Sequence, residues 1–410
     1  MNRSLSILFV TTIVTLAALP AQAPPPPRVV GLNLGGVAFT QDPGTCAVQS
    51  CPMGAIIPPA PTPLAGGVAH DASDGGTWIT NGNLLVKIDM RAQCVPLCPP
   101  QAMPLTPGAT FATGLAFSEA SQTLWASYDN NTIARLGVAG CAVNLAGFCA
   151  APTALNHMIT ALATDDVQGT VYYGTTPLAG ATTVFGVVQV APMTAPCTPI
   201  CRFGIPDCTG ALLGRMLGLG FDPCQNGLFG TDGGQLSGVR VVNCAVVGPL
   251  GCCPAAAASP IIGLDVLPSH AVRMGLSCTQ GACPSCPAMR HDTIGDPTIG
   301  NPSFALTLQN APASSVAILV LSIGSHCTPP GFAFFFCGPL LTPPPFTTVG
   351  GFPTGGGAGC TGGVIFPLAL PANPALCGIP MSSQWVGFCS PAVAADNFVS
   401  NCLSWTIGGS

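Results

Sequence analysis

The chain has 410 residues, of which only 6% are charged and 48% are hydrophobic, and its formal net charge is −5. Ten Lys and Arg residues, spread without a basic stripe, argue against nucleic-acid binding, and the high hydrophobic content argues against disorder. The 51 glycines and 44 prolines cut the sequence into short apolar runs, which predicts strands and turns rather than helices.

The N-terminus has the features of a secretory signal. Arg3 precedes an apolar stretch, Leu5–Leu19, and Ala21-Gln22-Ala23 follows it. This order predicts a signal peptide at residues 1–23, cleaved after Ala23 or, because Pro24 follows directly, after Ala21. The apolar run is shorter than the ~20 residues of a membrane span. The rest of the sequence contains no apolar run that is longer than this one. We therefore expect an exported, extracellular protein whose 22 cysteines form disulfides.

Residues 24–277 contain a repeat of 45 to 57 residues. Five copies begin with a short apolar strand, and a large side chain stands eleven residues after each start. The starts are Gly67, Gly114, Ala161, Gly218 and Gly263, and the large side chains are Trp78, Trp125, Tyr172, Phe229 and Met274. Each copy reads as four short strands with a polar turn after the first, which is the unit of a propeller blade. The sequence thus predicts an all-β, disulfide-rich protein that begins with a five-bladed β-propeller.

The first copy also resembles a known repeat. Val68-Ala69-His70, the turn Asp71–Gly76, the segment Trp78–Asn83 and Leu85–Asp89 are similar to NHL-type propeller repeats. This resemblance implies a fold and carries no activity with it.

The last copy is incomplete, which predicts a ring closed by the two ends of the repeat region. Its strand Ile261–Leu267 lacks the rest of a blade, and Gly36–Gln41 with Cys46–Cys51 supplies matching elements. Joining them would remove open sheet edges. Either Val29–Asn33 or Ala271–Ser277 could supply the second strand of this seam blade, and the sequence does not decide between them.

Cysteines recur in register near the fourth strand of each copy, each with a near neighbour along the chain. We expect one local disulfide per blade, at its outer edge. The candidates are Cys46 with Cys51, Cys94 with Cys98, Cys141 with Cys149, Cys197 with Cys201, and Cys244 with Cys252 or Cys253.

The pattern changes after the repeats. Residues 278–300 hold Cys278, Cys283 and Cys286 and are expected to be a cysteine-containing linker, while six apolar runs in residues 301–410 predict a small β-sandwich. The sandwich region resembles a C-terminal domain of secreted planctomycete-type proteins, which implies an accessory surface module without catalytic residues. The similar segments are Asn301–Pro312, Asn373–Gly378, Gln384 and Ser400–Ile407.

The chain has few side chains that could bind a metal ion or act as catalytic acids and bases. Cys283, Cys286 and His291 could form a metal site, but an exported chain favours disulfides, and we expect no metal or cofactor. Asp71, Asp165 and Asp222 occupy one repeated turn position, which is typical of turn formers. A catalytic acid–base pair is not evident.

Polar loops on one predicted face of the ring supply the candidate binding residues. These are Asn81, Asn83, Asp129, Asn130, His157, Arg215 and Asp232. Our first hypothesis is a secreted, non-enzymatic binding or structural protein whose partner is an extracellular glycan, peptide, matrix or cell-surface protein. The alternative is an extracellular glycan-acting hydrolase or lyase, which non-repeated carboxylates or histidines at the channel mouth would favour.

Overall fold

The computed structural model describes residues 28–409 except 54–55, 91, 93, 182–185, 192–196, 255–259, 269–270, 329–330, 332–335, 390–392 and 394. The predicted signal peptide, residues 1–23, lies outside the described residues. The described part of the chain contains 29 β-strands and one turn of 3-10 helix, Pro374–Leu376. No helix in these ranges is long and apolar enough to cross a membrane.

Five four-stranded antiparallel sheets form the first part of the molecule. The strands are β1 (Arg28–Asn33), β2 (Val37–Gln41), β3 (Val48–Pro52), β4 (Gly67–Asp71), β5 (Gly76–Thr80), β6 (Leu84–Asp89), β7 (Val95–Ala102), β8 (Ala112–Ser118), β9 (Thr123–Tyr128), β10 (Thr132–Ala139), β11 (Ala142–Ala150), β12 (His157–Asp165), β13 (Thr170–Pro177), β14 (Val187–Ala191), β15 (Thr198–Phe203), β16 (Gly218–Asp222), β17 (Gly227–Thr231), β18 (Gln235–Val242), β19 (Ala245–Pro254) and β20 (Ile261–Leu267). Blades 1 to 4 are β4–β7, β8–β11, β12–β15 and β16–β19, and the seam blade is β20-β1-β2-β3.

The sheets form a closed ring, which confirms the predicted five-bladed propeller. The innermost strands β4, β8, β12, β16 and β20 each contact the next, and β20 returns to contact β4. These strands are crowded: a Cβ on Gly67 would lie 2.6 Å from the backbone N of Leu115 in the next blade.

The seam blade takes its second strand from the N-terminal end. Strand β1 pairs antiparallel with β20, with Val29 opposite Val266, and with β2 on its other side. The alternative segment lies elsewhere, because Val272–Met274 pairs with a C-terminal strand. Met274 is therefore not the fifth counterpart of Trp78, Trp125, Tyr172 and Phe229, which are buried in second strands.

The cysteine pairing was predicted wrongly. All eleven candidate cysteines form disulfides, but none of them pairs with its near neighbour along the chain. The bonds are Cys46–Cys253, Cys51–Cys94, Cys98–Cys141, Cys149–Cys197 and Cys201–Cys244, with Cys208–Cys252 as a sixth. The physical reason is strand length: cysteines four residues apart in an extended chain are separated by ~13 Å, beyond the ~7 Å that a disulfide spans.

The first five bonds link the seam blade and blades 1, 2, 3 and 4 in one cycle. We call this cycle the disulfide belt.

The C-terminal domain consists of two packed sheets. Its strands are β21 (Val272–Met274), β22 (Cys278–Thr279), β23 (Arg290–Ile294), β24 (Ala305–Ala311), β25 (Val316–Ile323), β26 (Phe346–Pro353), β27 (Gly362–Pro367), β28 (Pro380–Phe388) and β29 (Asn397–Thr406). One sheet has the order β21-β29-β28-β25-β26, with β22 also on β29, and the other is β23-β24-β27. Trp385, Trp405 and Phe304 are buried between them.

The segment expected to be a linker, residues 278–300, contributes β22 and β23 to these sheets. Three disulfides tie it to the rest of the domain: Cys278–Cys337, Cys283–Cys389 and Cys286–Cys360.

Candidate functional site

The propeller has two faces, which we name by their loops. The turn face carries the turns between the first and second strands of the blades, residues 72–75, 119–122, 166–169 and 223–226. The loop face carries the connections between second and third strands and those between blades. The seam blade is interrupted between its first and second strands, so both Leu267 and Arg28 lie at the turn face.

The C-terminal domain covers the turn face at blade 1. The backbone N–H of Asp296 donates to the carbonyl O of Ala72 at 2.6 Å, and Asn301 Nδ2 donates to the same oxygen at 2.9 Å. His70 Nε2 lies 2.8 Å from Asp296 Oδ2, and all four residues are buried.

A second contact lies at blade 4, where the disulfide Cys224–Cys377 joins the turn of that blade to the C-terminal domain. The turn face is thus covered by contacts at two separate blades.

Buried carboxylates connect neighbouring blades on this face. Glu119 of blade 2 accepts the backbone N–H of Ala72 in blade 1. Asp166 of blade 3 accepts the Ser118 hydroxyl and the Glu119 N–H of blade 2, both at 2.6 Å. Asp265 of the seam blade accepts the N–H of His70 at 2.6 Å. These roles were missed, because the sequence shows only that acidic residues recur near the turn.

The repeated aspartates act within their own turns. Asp71 accepts the N–H of Ser73, Asp165 that of Val167 and Asp222 that of Cys224. These bonds are those expected of turn formers.

Burial changes the acidity of these carboxyls. It raises the pKa of Glu119 well above its usual value, and the nearby Asp71, Asp166 and Asp296 raise it further. Burial also raises the pKa of Asp222 to about 6 and that of Asp265 to about 7. Ionising such groups in place is costly, because little water solvates the charge.

The loop-face candidates of blades 1 and 2 are held by their own loops. Asn81 is buried, accepts the N–H groups of Asn83 and Leu84, and donates to the carbonyl of Pro58. Asn83 is exposed.

In blade 2, Asp129 accepts the N–H of Thr110 at 2.9 Å, and Asn130 Nδ2 donates to the carbonyl of Pro107 at 3.0 Å. The other side-chain oxygens are engaged as well, because Asp129 Oδ2 accepts the Thr110 hydroxyl and Asn130 Oδ1 accepts the N–H and the hydroxyl of Thr132.

Arg215 and Asp232 are the two candidates that the structure brings together. Arg215 Nε donates to the backbone carbonyl of Asp232 at 2.8 Å, while the Asp232 carboxylate accepts the N–H groups of Gly234 and Gln235. His157 is buried, with Nδ1 3.0 Å from the carbonyl of Leu155. The candidates therefore form separate loop clusters around the ring rather than one convergent group.

Exposed leucines on the loop face were missed. Leu155 is 87% exposed, and Leu105, Leu178 and Leu212 are also exposed; three of these lie in connections between blades. The Leu178 N–H donates to the carbonyl of Asn156, which brings Leu178 beside Leu155. An apolar residue within a polar, proline-rich connection is the signal that could have revealed them.

The supposed metal residues have other partners. Cys283 and Cys286 are in disulfides. His291 is buried against the Thr307 carbonyl and the Ser383 hydroxyl, and burial lowers its pKa to about 4. Among the described residues, no group of three or more His, Cys, Asp or Glu side chains could hold a metal.

These features define a five-bladed β-propeller that carries a disulfide-linked β-sandwich on its turn face. No protein-family model matches the chain, and no curated protein matches it.

Among solved structures, the chain is similar to one in the nidogen–laminin complex, with 10% identity, a TM-score of 0.37, and coverage of 59% of this chain and 98% of that one. It is also similar to streptogramin B lyase (13%, TM-score 0.30, coverage 57% and 67%). A third is the Neurospora crassa Pan2 WD40 domain (9%, TM-score 0.29, coverage 56% and 63%). At these scores the similarities bear on neither the activity nor the partners of this chain.

Proposed function

We propose that this chain is a secreted, non-enzymatic binding protein whose loop face holds a peptide segment of an extracellular protein. The observation that carries the proposal is the contact of the C-terminal domain with the turn face, at Ala72 and at Cys224. That contact leaves the loop face as the end of the ring open to a partner. The C-terminal domain then serves as the accessory module that its resemblance to the planctomycete-type domain predicts.

The side chains on the loop face favour a peptide over a glycan. Leu155, Leu178 and Leu212 offer aliphatic surface beside the polar loops at Asp129 and Asp232. Sugar rings are commonly held by stacking on exposed aromatic side chains, whereas all four tryptophans and all three tyrosines of this chain are buried. Apolar anchors surrounded by hydrogen-bonding loops are the usual composition of a protein-binding surface.

Two further observations support export and a non-enzymatic role. All 22 cysteines pair in eleven disulfides, a state that persists in oxidising compartments. The carboxyls with raised pKa, the natural candidates for acid–base chemistry, lie on the turn face and are hydrogen-bonded either between blades, as Glu119 and Asp166 are, or within their own turns, as Asp222 is.

The test is a binding screen on the full-length, oxidised protein. A displayed random-peptide library and a glycan array are probed in parallel, and release of sugar product is followed in the glycan wells. We expect peptide ligands, no glycan ligand and no product. Binding to glycans alone would overturn the peptide assignment, and turnover that survives further purification would favour the hydrolase or lyase alternative.

Matched variants then locate the site. Burying one leucine side chain contributes ~2 kcal/mol, so Leu155→Asp is expected to weaken peptide binding at least ~30-fold. Leu276→Asp is the control, because Leu276 is 92% exposed but lies in the C-terminal domain. An equal loss in both variants would show that the peptides bind exposed leucines without preference for the loop face.

A further inference from the structure

One residue on the turn face, Ala72, joins three parts of the molecule. The Ala72 N–H donates to Glu119 of blade 2, and the Ala72 carbonyl accepts from Asp296 and Asn301 of the C-terminal domain. The approach is close enough to require glycine next to it: Gly295 has φ +70°, and a Cβ there would lie 2.7 Å from the Ala72 oxygen. A change at Glu119 therefore acts on the N–H of the same residue whose carbonyl, in the next peptide group, holds the C-terminal domain.

The same contact is rich in carboxyl groups. Asp71, Asp166 and Asp296 surround Glu119 closely enough to act on its charge. Asp165 lies beside Asp166 in the neighbouring turn, and Asp265 contacts the backbone of His70.

Among the described residues, two basic side chains form contacts with these carboxyl groups. His70 is bound to Asp296, and Lys87 is shared between Asp71 (2.5 Å) and Asp74 (2.6 Å). Glu119 itself, with 0% exposure, has no basic partner among the described side chains that contact it. A second negative charge placed next to paired carboxylates in a water-excluded contact is strongly unfavourable.

We propose that the contact between the C-terminal domain and the turn face is a proton-controlled latch, which is tight while Glu119 is protonated and loosens when Glu119 ionises. A protonated Glu119 keeps Oε1 as the acceptor for the Ala72 N–H and carries the proton on Oε2, at the expense of the long bond of 3.3 Å that Gln122 Nε2 donates to that oxygen. The Cys224–Cys377 disulfide keeps the loosened domain beside the ring. The latch thus changes the exposure of the turn face without releasing the domain.

The direction of the effect follows from proton linkage. Glu119 has a higher pKa in the closed contact than a carboxyl in water, so the closed state binds more protons than the open one. Closure is therefore fully favoured below pH ~4, the ordinary carboxyl pKa. It weakens as the pH rises from that value towards the raised pKa of Glu119.

The test is amide hydrogen exchange on the full-length, oxidised protein between pH 5 and pH 8, corrected for the intrinsic exchange rate at each pH. The reporters are the amides of Ala72 and Asp296, and the internal control is the buried amide of Leu228 in blade 4. We expect protection of the reporters to fall about tenfold or more relative to that of Leu228, which follows the stability of the propeller itself, one pKa unit being tenfold. Equal protection of the reporters across this range would overturn the proposal.

Glu119→Gln assigns the effect, because glutamine keeps an oxygen acceptor for Ala72 and does not ionise. The pH dependence at Ala72 and Asp296 is expected to flatten, whereas Asp207→Asn, at an exposed loop-face carboxyl, should retain it. If Glu119→Gln does not fold, Asp296→Asn removes a charge that raises the pKa of Glu119, so the fall in protection should be smaller and should end at a lower pH. An unchanged pH dependence in whichever variant folds would refute the assignment to this carboxyl group.

Discussion

The disulfide belt is expected to stabilise the propeller as one small covalent ring. Its five bonds are joined only by the short segments Cys46–Cys51, Cys94–Cys98, Cys141–Cys149, Cys197–Cys201 and Cys244–Cys253, about 30 residues in all. In an unfolded but oxidised chain, each belt bond except Cys201–Cys244 therefore closes a loop of about this length, whatever its separation along the sequence. For Cys201–Cys244 the loop is shorter, because Cys208–Cys252 lies next to it.

This ring predicts nearly equal costs for bonds of very different sequence separation. In the chain-entropy model, the separation of 207 residues at Cys46–Cys253 would contribute ~5.4 kcal/mol, and the 43 residues at Cys98–Cys141 ~4.0 kcal/mol. An effective loop of about 30 residues lowers both to ~3.7 kcal/mol. The two double variants Cys46→Ala/Cys253→Ala and Cys98→Ala/Cys141→Ala should then lose stability by amounts within ~0.5 kcal/mol of each other, rather than ~1.4 kcal/mol apart.

The two variants are well matched, because each bond joins one buried cysteine to one that is at least partly exposed. The measurement is the free energy of unfolding from guanidinium denaturation without reductant, after non-reducing peptide mapping has verified the remaining bonds. A loss more than ~1 kcal/mol larger for the Cys46–Cys253 variant would show that the loops act separately. A cross-link between Cys46 and Cys51 in the wild-type map would refute the belt itself.

Three further predictions test packing and charge in the propeller. Lys87→Met is expected to cost ~3–5 kcal/mol, because it leaves the buried Asp71 carboxylate without its cation, and adding Asp71→Asn should recover most of that loss in thermal denaturation. The stability of the wild type should fall as the pH rises from about 4 to 6, where the buried Asp222 ionises; in Asp222→Asn, denaturation curves at pH 5 and pH 8 should differ less. Gly238→Val should lower the melting temperature, with a cost of ~1–3 kcal/mol or more, since its Cβ would lie 2.5 Å from the Phe229 ring; an unchanged melting temperature would contradict this packing.

The five-bladed ring could be predicted from the sequence because its packing requires the same residue types at the same positions of successive blades. Innermost strands approach one another so closely that Gly67, Gly114, Gly218 and Gly263 each face backbone of the next blade. The large residue eleven positions later fills the space between sheets in four of the five blades. Each requirement is met in four of the five blades, which is enough to predict the period and the register from the sequence alone.

The cysteine pairing could not be read in the same way. Residues close along an extended strand are far apart in space, while a turn cysteine such as Cys94 meets the outer strand of the adjacent blade, 43 residues away in sequence. The exposure of the loop-face leucines was not predicted for a related reason. The burial of a residue in a connecting loop depends on the neighbouring blades, which are distant in sequence. The predicted polar residues on that face stay candidates for binding, held in place by the bonds within their loops.

The position of the seam determines which face of the ring is available. Because the break lies between the first and second strands of the seam blade, the chain leaves the propeller at Leu267, at the centre of the turn face, and β21 begins only a few residues later. So short a connection places the C-terminal domain against that face, where Asp296 and Cys377 meet Ala72 and Cys224. A break between the second and third strands would have brought the same domain onto the loop face. The pairing of β1 with β20 therefore determines which face of the propeller the C-terminal domain covers, and so which face is left for a binding partner.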